Sequence, residues 1–333
     1  MKALVTGGGG FLGRYVVQKL CKRGAEVVIL GRSPQPAIEA QGVKVYQSEI
    51  ENFNSVKDAC QGCDVVFHIA AKTGIWGSWK SFFQPNVIGT RNVINACKEQ
   101  GITRLIYTST PSVVFNGNSI EGADESLPYG CNWLSHYAHT KAIAEAEILA
   151  TNNDDGLRTI ALRPHLIWGI GDPHLIPRVV ARARGGKLRI IGNGRNRVDI
   201  THVDNAADAH LLAFDALENE NAGGRPYFIS QDQPVVLWEW INELLTRLNI
   251  RPVQKKISLN KAYVLGMGFE GIYKLTGLSS DPPMTRFLAV ELAKNHFFNI
   301  DAARRDLGYE PAINIETGLN QLVEHLNKTG AIN

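Results

Sequence analysis

The first half of the chain alternates short apolar runs with longer segments in which apolar residues recur every third or fourth position. A short apolar run is typical of a strand buried in a parallel sheet, and the longer spacing is typical of a helix with one buried face. Strands are predicted at Lys2–Thr6, Glu26–Leu30, Val43–Tyr46, Val65–Ile69, Leu105–Ser109 and Thr159–Leu162. Helices are predicted between them at Phe11–Arg23, Asn54–Gln61, Asn86–Lys98 and Tyr137–Leu149. The pattern therefore indicates the α/β class, with a Rossmann-type doubly wound parallel sheet.

The regular alternation ends near Pro164, and the second half of the chain is less regular. Its helices are predicted at Leu175–Arg184, Asn205–Leu217, Leu237–Leu248 and Ile315–His325, and a further strand at Tyr227–Ile229. We interpret residues 1–165 as the sheet domain and residues 166–333 as a smaller C-terminal lobe. Residues 198–230 are expected to return to the sheet domain.

Composition narrows the class of protein. With 44% hydrophobic and 20% charged residues, the chain has enough apolar material to fold, which excludes a disordered protein. Lys and Arg total 35 against 32 for Asp and Glu, and a net charge of +3 predicts no nucleic-acid partner. No apolar stretch approaches the roughly 18 residues of a membrane-spanning helix. The N-terminus enters the first strand without room for a signal peptide, and five cysteines fit a reducing compartment, so we predict a cytoplasmic protein.

A glycine-rich turn, Thr6-Gly7-Gly8-Gly9-Gly10-Phe11-Leu12-Gly13, joins the first strand to the first helix. The first turn of a helix presents unbonded N–H groups and the positive end of the helix dipole, which together bind a pyrophosphate. Glycines let the backbone approach the phosphates, and Gly13 lets the helix pack closely on the sheet. Because the turn follows a strand and opens a helix, it predicts a dinucleotide site. The alternative is a glycine-rich surface turn.

The residues that follow the second predicted strand distinguish an NAD(H) site from an NADP(H) site. An NAD(H) site usually has a carboxylate here that binds the ribose 2′-hydroxyl, whereas this chain has Gly31-Arg32-Ser33. An arginine at this position is able to bind a 2′-phosphate, so NADP(H) is favoured over NAD(H). The alternative is an arginine that is simply solvated in its loop.

Tyr137 and Lys141 lie four positions apart in a predicted helix, so their side chains share one face. Reduction of a carbonyl needs a proton for the oxygen, and a nearby ammonium lowers the pKa of a phenol from about 10. The pair therefore predicts an acid–base site. Tyr15 and Lys19 repeat the spacing, but their helix starts at the phosphates, and we interpret them as structural. Thr110, after the fifth strand, predicts a hydroxyl that donates to a substrate oxygen, with ordinary turn hydrogen bonding as the alternative.

Together these motifs resemble the extended short-chain dehydrogenase/reductase superfamily over nearly the whole chain. Thr6–Gly13 is similar to its cofactor turn, Tyr137 and Lys141 to its catalytic pair, and Thr110 to its catalytic Ser or Thr. The helix motif beside the site of that superfamily resembles Asn86-Val87-Ile88-Gly89-Thr90.

Two narrower resemblances lie within the superfamily. Tyr107–Phe115 resembles the 3β-hydroxysteroid dehydrogenase branch, and Arg163-Pro164 resembles the nicotinamide-side turn. Ala70–Gly77 and Leu162–Gly169 are similar to segments of the OleD-type reductases of bacterial olefin biosynthesis. Those enzymes reduce 2-alkyl-3-oxoalkanoic acids to 3-hydroxy acids with NADPH.

The resemblance implies an NAD(P)-dependent oxidoreductase that acts on the 3-keto group of a long-chain, acidic, lipid-like small molecule. It makes residues 1–165 a dinucleotide-binding domain and residues 166–333 a substrate-binding lobe. It assigns catalysis to Thr110, Tyr137 and Lys141. It assigns cofactor contacts to Gly7, Gly10, Phe11, Leu12, Gly13, Arg32, Glu49, Ile50, Ala70, Ala71, Lys72, Asn86, Thr108, Tyr137, Lys141, Pro164 and Leu166.

Glu49 replaces the Asp that the superfamily usually has at the end of the third strand. The resemblance also implies a homodimer formed through the helices near Asn86 and Tyr137, and it is compatible with a complex with other enzymes of the same pathway. A 3β-hydroxysteroid or sterol dehydrogenase is the first alternative, and a nucleotide-sugar epimerase the second. A protein that binds NADP(H) without turnover is a third alternative, against which the Tyr137/Lys141 pair argues.

Three other segments have open interpretations. The basic stretch at 178–197 fits either a docking surface for an anionic substrate or a solvated surface. Ile257–Leu278 is apolar and glycine-rich, and fits either a lid or acyl-chain wall or, as we favour, the core of the lobe. Cys60 and Cys63 have the spacing of a metal pair but lack a second pair, so we expect packing cysteines and no metal site.

Overall fold

The computed structural model of the chain describes residues 1–218, 222–278 and 280–330. The strands of these residues are β1 (Lys2–Thr6), β2 (Glu26–Gly31), β3 (Lys44–Gln47), β4 (Val65–His68), β5 (Arg104–Thr108), β6 (Ile120–Ala123), β7 (Arg158–Pro164), β8 (Ile167–Trp168), β9 (Ile190–Ile191), β10 (Arg197–Val198), β11 (Thr201–His202), β12 (Arg225–Ile229), β13 (Val235–Val236), β14 (Lys256–Ile257) and β15 (His296–Phe298).

The α-helices of the same residues are α1 (Phe11–Lys22), α2 (Pro36–Glu39), α3 (Phe53–Cys60), α4 (Trp79–Phe83), α5 (Gly89–Glu99), α6 (His136–Ala150), α7 (Leu175–Arg184), α8 (Val203–Ala216), α9 (Leu237–Arg247), α10 (Leu259–Thr276), α11 (Arg286–Glu291), α12 (Asp301–Leu307) and α13 (Ile315–Thr329). A π-helical turn, Gln84–Ile88, precedes α5, and a 3₁₀ turn, Pro111–Val114, follows β5.

A seven-stranded parallel sheet organises the molecule, with the strand order β12-β7-β5-β4-β1-β2-β3. The predicted doubly wound sheet is therefore confirmed. The chain runs outward from β1 in one direction through β2 and β3, and in the other through β4, β5 and β7. The carboxyl ends of β1 and β4 meet where the winding changes direction, which is where parallel sheets of this kind form a ligand-binding crevice.

Both faces of the sheet are covered because side chains alternate between them along each strand. In β1, Ala3 and Val5 belong to the apolar cluster that includes residues of α1 and α8. Leu4 points to the opposite face and joins the cluster built with α3 and α5. These short apolar runs have no polar side, as expected for strands buried on both faces.

A third apolar cluster lies in the second half of the chain, where α7, α9 and α13 pack around Trp168, Trp238 and Trp240. Between these elements the chain returns to the large sheet, because β12 pairs with β7 with Tyr227 opposite Leu162. The boundaries of the two domains remain a prediction.

The helix predicted at Asn86–Lys98 begins differently in the structure. The backbone forms the π-helical turn before α5, and α4, which the sequence pattern did not predict, precedes it directly. Pro85 lies in this turn and has no N–H to donate, which disfavours a regular α-helical start.

The interpretation of Ile257–Leu278 as lobe core is wrong. Most of this segment forms α10, in which only Ala262 and Gly266 are buried. Leu259 and Tyr263 pack partly against the core, whereas Val264, Leu265, Met267, Ile272 and Leu275 of this helix are exposed. Among the described residues, no helix combines the length and the apolar character needed to cross a membrane.

Candidate active site

The glycine turn between β1 and α1 is built by close backbone contacts. Gly7 has a φ of +70°, and a side-chain carbon there would lie 2.9 Å from the backbone of Ala70. A side-chain carbon on Gly13 would overlap the carbonyl oxygen of Gly7. Both positions therefore require glycine, and they bring the start of α1 against the ends of β1 and β4.

The start of α1 is suited to an anion. Gly10 precedes the helix and offers no side chain to cap it, and the first turn holds no acidic residue. Phe11 is half-buried and Leu12 is buried, so the first-turn amides are held by packing of these side chains. Uncapped amides and the helix dipole fit the pyrophosphate of a dinucleotide, and with Gly7 and Gly13 they form its cradle.

A buried chain of hydrogen bonds lies beneath this cradle. The Thr6 hydroxyl is 2.8 Å from Nδ1 of His68, and Nε2 of His68 is 2.9 Å from the Thr90 hydroxyl. Thr90 in turn donates to the Asn86 carbonyl, and Thr6 accepts from the Ala70 amide. Burial lowers the pKa of His68 to about 3, so the ring stays neutral. The sequence analysis missed His68, because a single histidine at a strand end carries no spacing signal.

Asn86 ties the loop after β4 to the helix α6. Its Oδ1 accepts from the Lys72 amide at 2.7 Å, and its Nδ2 donates to the Lys72 carbonyl at 3.1 Å and to the Thr140 hydroxyl at 3.0 Å. Ala70 and Ala71, which precede Lys72, are thereby fixed beside the glycine turn. Asn86 therefore acts as a positioning residue that links the loop after β4 to α6.

Thr110, Tyr137 and Lys141 lie together at the carboxyl end of β5. The Thr110 hydroxyl is within hydrogen-bonding reach of the Tyr137 phenol. The Lys141 ammonium donates to the Thr108 carbonyl at 2.6 Å and lies 4.0 Å from the centre of the Tyr107 ring. One face of α6 therefore presents both the phenol and the ammonium, one helical turn apart, to the same edge of the sheet.

Burial sets the titration of both groups. Burial raises the pKa of Tyr137 to about 12, and the hydrogen bond with Thr110 opposes this rise. Burial lowers the pKa of Lys141 to about 7, and the Glu145 carboxylate opposes this fall. The phenol therefore keeps its proton at neutral pH and is able to donate it, while Lys141 lies between ammonium and amine.

A buried ion pair between Arg163 of β7 and Glu145 of α6 holds α6 against the sheet. Arg163 donates to Glu145 through Nη2 at 2.5 Å and through Nε at 3.1 and 3.2 Å, and both side chains are almost fully buried. Glu145 follows Lys141 by four residues on α6, and this spacing was the signal that could have found it.

Several of the remaining residues assigned to the cofactor lie at or just after the ends of strands of the large sheet. Arg32 directly follows β2 and is exposed, as is Glu49 beyond β3, whereas Ile50 is buried against Gly89. The Thr108 hydroxyl is 2.7 Å from Nε2 of a histidine on α8, so its carbonyl, not its side chain, faces Lys141.

The turn after β7 is strained. Pro164 ends the strand, and Leu166 has a φ of +38°, a conformation that side chains other than glycine rarely adopt. Thr201 holds this turn, because its hydroxyl donates to the His165 carbonyl at 2.7 Å and its amide donates to the Leu166 carbonyl at 3.2 Å. Strain of this kind occurs often at ligand sites.

Aromatic rings cover the start of α6. Trp79 lies 4.8 Å from the ring of His139 and 5.6 Å from that of His136, and Trp133 stacks on His139 at 5.2 Å. His136 and His139 share one side of α6, and Tyr137 points about 100° away from that side around the helix axis, so these rings pack beside the face that carries the phenol rather than on it.

Other candidates lie away from this site. Tyr15 donates to the Ile170 carbonyl at 2.9 Å, and Lys19 pairs with Asp208 at 2.8 Å, so both make structural contacts. Cys60 and Cys63 are buried in the apolar cluster beneath α3 and α5.

The basic stretch makes internal bonds at several positions. Arg178 pairs with Asp281, Arg182 donates to the Pro283 carbonyl at 2.8 Å, and Arg189 donates to the Gly186 carbonyl at 2.6 Å. These three arginines therefore hold the lobe together.

The fold and the site together define the class of nicotinamide-dependent oxidoreductases. The model of the 3-beta hydroxysteroid dehydrogenase/isomerase family matches residues 4–260. The chain is 48% identical to 2-alkyl-3-oxoalkanoate reductase of Stenotrophomonas maltophilia, over 97% of this chain and 98% of that protein. It is 32% identical to mouse (Mus musculus) sterol-4-alpha-carboxylate 3-dehydrogenase, decarboxylating, over 98% of this chain and 92% of that protein.

The fold is similar to that of a dTDP-glucose 4,6-dehydratase from Streptomyces venezuelae solved with NAD, with a TM-score of 0.76 and 23% identity over 98% of this chain and 97% of that chain. The protein belongs to the 3-beta hydroxysteroid dehydrogenase/isomerase family, so the resemblance found in the sequence is confirmed. It is an oxidoreductase that uses a nicotinamide cofactor.

Proposed function

We propose that the protein reduces the 3-keto group of a long-chain 2-alkyl-3-oxoalkanoic acid to the 3-hydroxy acid, with NADPH as the reductant. The observation that carries the proposal is the grouping of Thr110, Tyr137 and Lys141 beside the glycine turn. The substrate class is drawn from the Stenotrophomonas maltophilia relative, which is named for that substrate.

In this proposal each residue of the chain has a defined task. A bound dihydronicotinamide supplies the hydride to the carbonyl carbon. Tyr137 donates its phenolic proton to the carbonyl oxygen, and the Thr110 hydroxyl donates a hydrogen bond to the same oxygen. The Lys141 ammonium places positive charge next to the phenolate that forms.

The preference for NADPH rests on Arg32. It is exposed directly after β2, where its guanidinium is free to reach a 2′-phosphate. Because a hydrogen bond to a charged group contributes about 1.5–3 kcal/mol, we expect Arg32→Ala to weaken NADPH binding roughly 10- to 100-fold and to leave NADH binding unchanged. Arg305→Ala, which alters an exposed arginine on α12, is the control.

The direct experiment incubates the purified protein with a synthetic 2-alkyl-3-oxoalkanoic acid and either NADPH or NADH. We expect NADPH consumption and formation of the 3-hydroxy acid, detected by mass spectrometry. If simple aliphatic ketones are reduced but the 2-alkyl-3-oxo acid is not, the substrate class is wrong and the reductase assignment stands.

A second candidate is oxidation of a 3β-hydroxysterol, which the 32% identical mouse relative favours. The same tyrosine and lysine serve this reaction in reverse, with the phenolate accepting the hydroxyl proton. A panel containing a 3β-hydroxysterol acid with NADP⁺ separates the two candidates, because only a sterol dehydrogenase reduces NADP⁺ with that substrate.

A further inference from the structure

The outer face of α10 is unusual for its exposed apolar side chains. Among the described residues, eight large apolar side chains are exposed, and six of them belong to this helix or the turn just after it. We call this surface the α10 outer face. It consists of Val264, Leu265, Met267, Ile272, Leu275 and Leu278, of which Leu275 is 89% exposed and Val264 59% exposed.

The spacing of this face is helical. Positions 264, 268, 271 and 275 follow steps of four and three, so they form one stripe along the helix, with Gly268 and Gly271 between larger residues, and Leu278 follows just after the helix end. A contiguous exposed apolar surface marks an interaction site more often than an accident of folding.

The inner side of the helix is fixed, so the exposure does not come from a loose segment. A side-chain carbon on Gly266 would lie 2.6 Å from the Thr285 backbone, and Glu270 accepts from the amide and the Nε of Arg286, each at 2.7 Å. The Trp76 indole donates to the Leu278 carbonyl at 3.3 Å. The helix therefore holds one orientation, with its apolar stripe turned outward.

The charges around this stripe have one sign. Residues 251–278 contain five cations, Arg251, Lys255, Lys256, Lys261 and Lys274, and all five are exposed. The only carboxylate in the same residues is Glu270, which is engaged by Arg286. Asp281, just beyond, is engaged by Arg178. An anionic partner therefore meets free positive charge beside an apolar surface.

We propose that the α10 outer face docks on an anionic phospholipid bilayer. Apolar side chains between lysines are the pattern of a helix that lies in the headgroup region, where the chains enter the lipid and the ammonium groups meet phosphates. A protein partner of matching shape would not need exposed lysines on both flanks of the stripe.

The docked face lies next to the active site. Burial and then the Lys274 ammonium lower the pKa of His136, which places Lys274 close to the start of α6. Tyr273 contacts Trp76 edge-on at 6.1 Å, on the loop that precedes α4. Docking through α10 therefore brings the start of α6 and the Trp76 loop toward the lipid surface, and this holds whichever ketone the enzyme reduces.

Vesicle flotation with the full chain tests the proposal. We expect the protein to float with vesicles that contain phosphatidylglycerol and to float far less with pure phosphatidylcholine vesicles. Lys261→Glu with Lys274→Glu should reduce flotation at least tenfold, since each lysine near an anionic surface contributes a several-fold factor. Ile272→Glu with Leu275→Glu should abolish flotation, while thermal melting shows that all variants remain folded.

The control pair is Lys22→Glu with Lys328→Glu, which changes the net charge equally at exposed lysines on α1 and α13. If the control pair loses as much flotation as the α10 pair, binding reflects net charge and the proposal fails. It also fails if the native protein does not float with anionic vesicles. A dimer in light scattering that Leu275→Glu converts to a monomer would assign the face to a second copy and overturn the lipid assignment.

Discussion

The two sides of the active site are built differently. The cofactor side, formed by the glycine turn and the residues beneath it, is held by backbone contacts and by the continuous hydrogen-bond chain through Thr6, His68 and Thr90. The other side, which we call the substrate side, comprises the start of α6 with the rings of Trp79 and Trp133, and α10. It is held by ring contacts and by the Glu270–Arg286 ion pair.

The difference follows from the ligands that each side is built to hold. Backbone overlap and buried hydrogen bonds allow one geometry, because any displacement leaves a polar group unsatisfied. Ring contacts are less directional and tolerate shifts of their partners. Under the proposed function, the cofactor side binds a dinucleotide in one conformation and the substrate side accepts a lipid-like molecule of variable conformation, so a rigid side beside an adaptable one suits the reaction.

Removal of the Tyr137 phenol should have the largest effect on activity, because this residue lies between the cofactor side and the substrate side. We expect Tyr137→Phe to lower kcat by about 10²–10⁴-fold, because the proton donor is lost, and to leave NADPH affinity unchanged. Steady-state kinetics and fluorescence titration measure the two quantities. Tyr15→Phe, in the duplicate spacing on α1, is the matched control and should retain full activity. Equal losses in both variants would end the assignment of the acid.

A methyl group added at a glycine should weaken NADPH binding on the cofactor side but not on the substrate side. Gly13→Ala forces a methyl group into the Gly7 carbonyl and displaces the phosphate cradle, so we expect NADPH affinity to fall about 100-fold. Gly271→Ala on α10 has open space around it, and we expect unchanged affinity and a gain in stability of up to about 1 kcal/mol. NADPH titration and thermal melting of the two variants provide the comparison. Similar losses of affinity would show that the substrate side is as rigid as the cofactor side.

The loop after β4 should depend on Asn86. Asn86→Leu leaves the Lys72 amide and carbonyl without their partner, and we expect the free energy of unfolding to fall by about 2–3 kcal/mol. Urea denaturation measures this loss. Asn86→Asp keeps the acceptor for the Lys72 amide and should lose less. A stable Asn86→Leu variant would mean that packing, not hydrogen bonding, fixes this loop.

The last test concerns the dependence of stability on pH. Burial holds the pKa of Lys141 at about 7 in the folded chain, against 10.5 for an ordinary lysine. Between these values the unfolded chain binds more protons, so the free energy of unfolding should rise with pH by about 1.4 kcal/mol per unit above pH 7. Below pH 7 both states are protonated, and this contribution becomes constant. Urea denaturation at several pH values should show that slope reduced in Lys141→Met, and an unchanged slope would assign it to other groups.

The sequence signals for the sheet, the glycine turn and the Tyr137/Lys141 pair are local. The apolar runs of β1, β4 and β5 have no polar face, and Gly7 and Gly13 meet across only a few residues. The Tyr137/Lys141 spacing is likewise contained in one turn of α6. Each of these features is visible within a short window of the chain.

The remaining features depend on contacts between distant positions. His68 acquires its role from Thr6, which is 62 residues earlier, and from Thr90, which is 22 residues later. The apolar content of α10 is the same whether the helix faces a core or solvent, so composition led to the wrong expectation. The contacts of Ala262, Gly266 and Glu270 with distant parts of the chain show which side of the helix is covered.

The outer strand of the large sheet, β12, has a further consequence. In a strand the N–H groups of alternate residues point the same way, so Pro226 and Phe228 share the outward edge. Pro226 has no N–H, and the Phe228 amide donates to Glu125 at 2.8 Å. This border therefore offers few free donors to a strand from another molecule, which disfavours edge-to-edge pairing at β12.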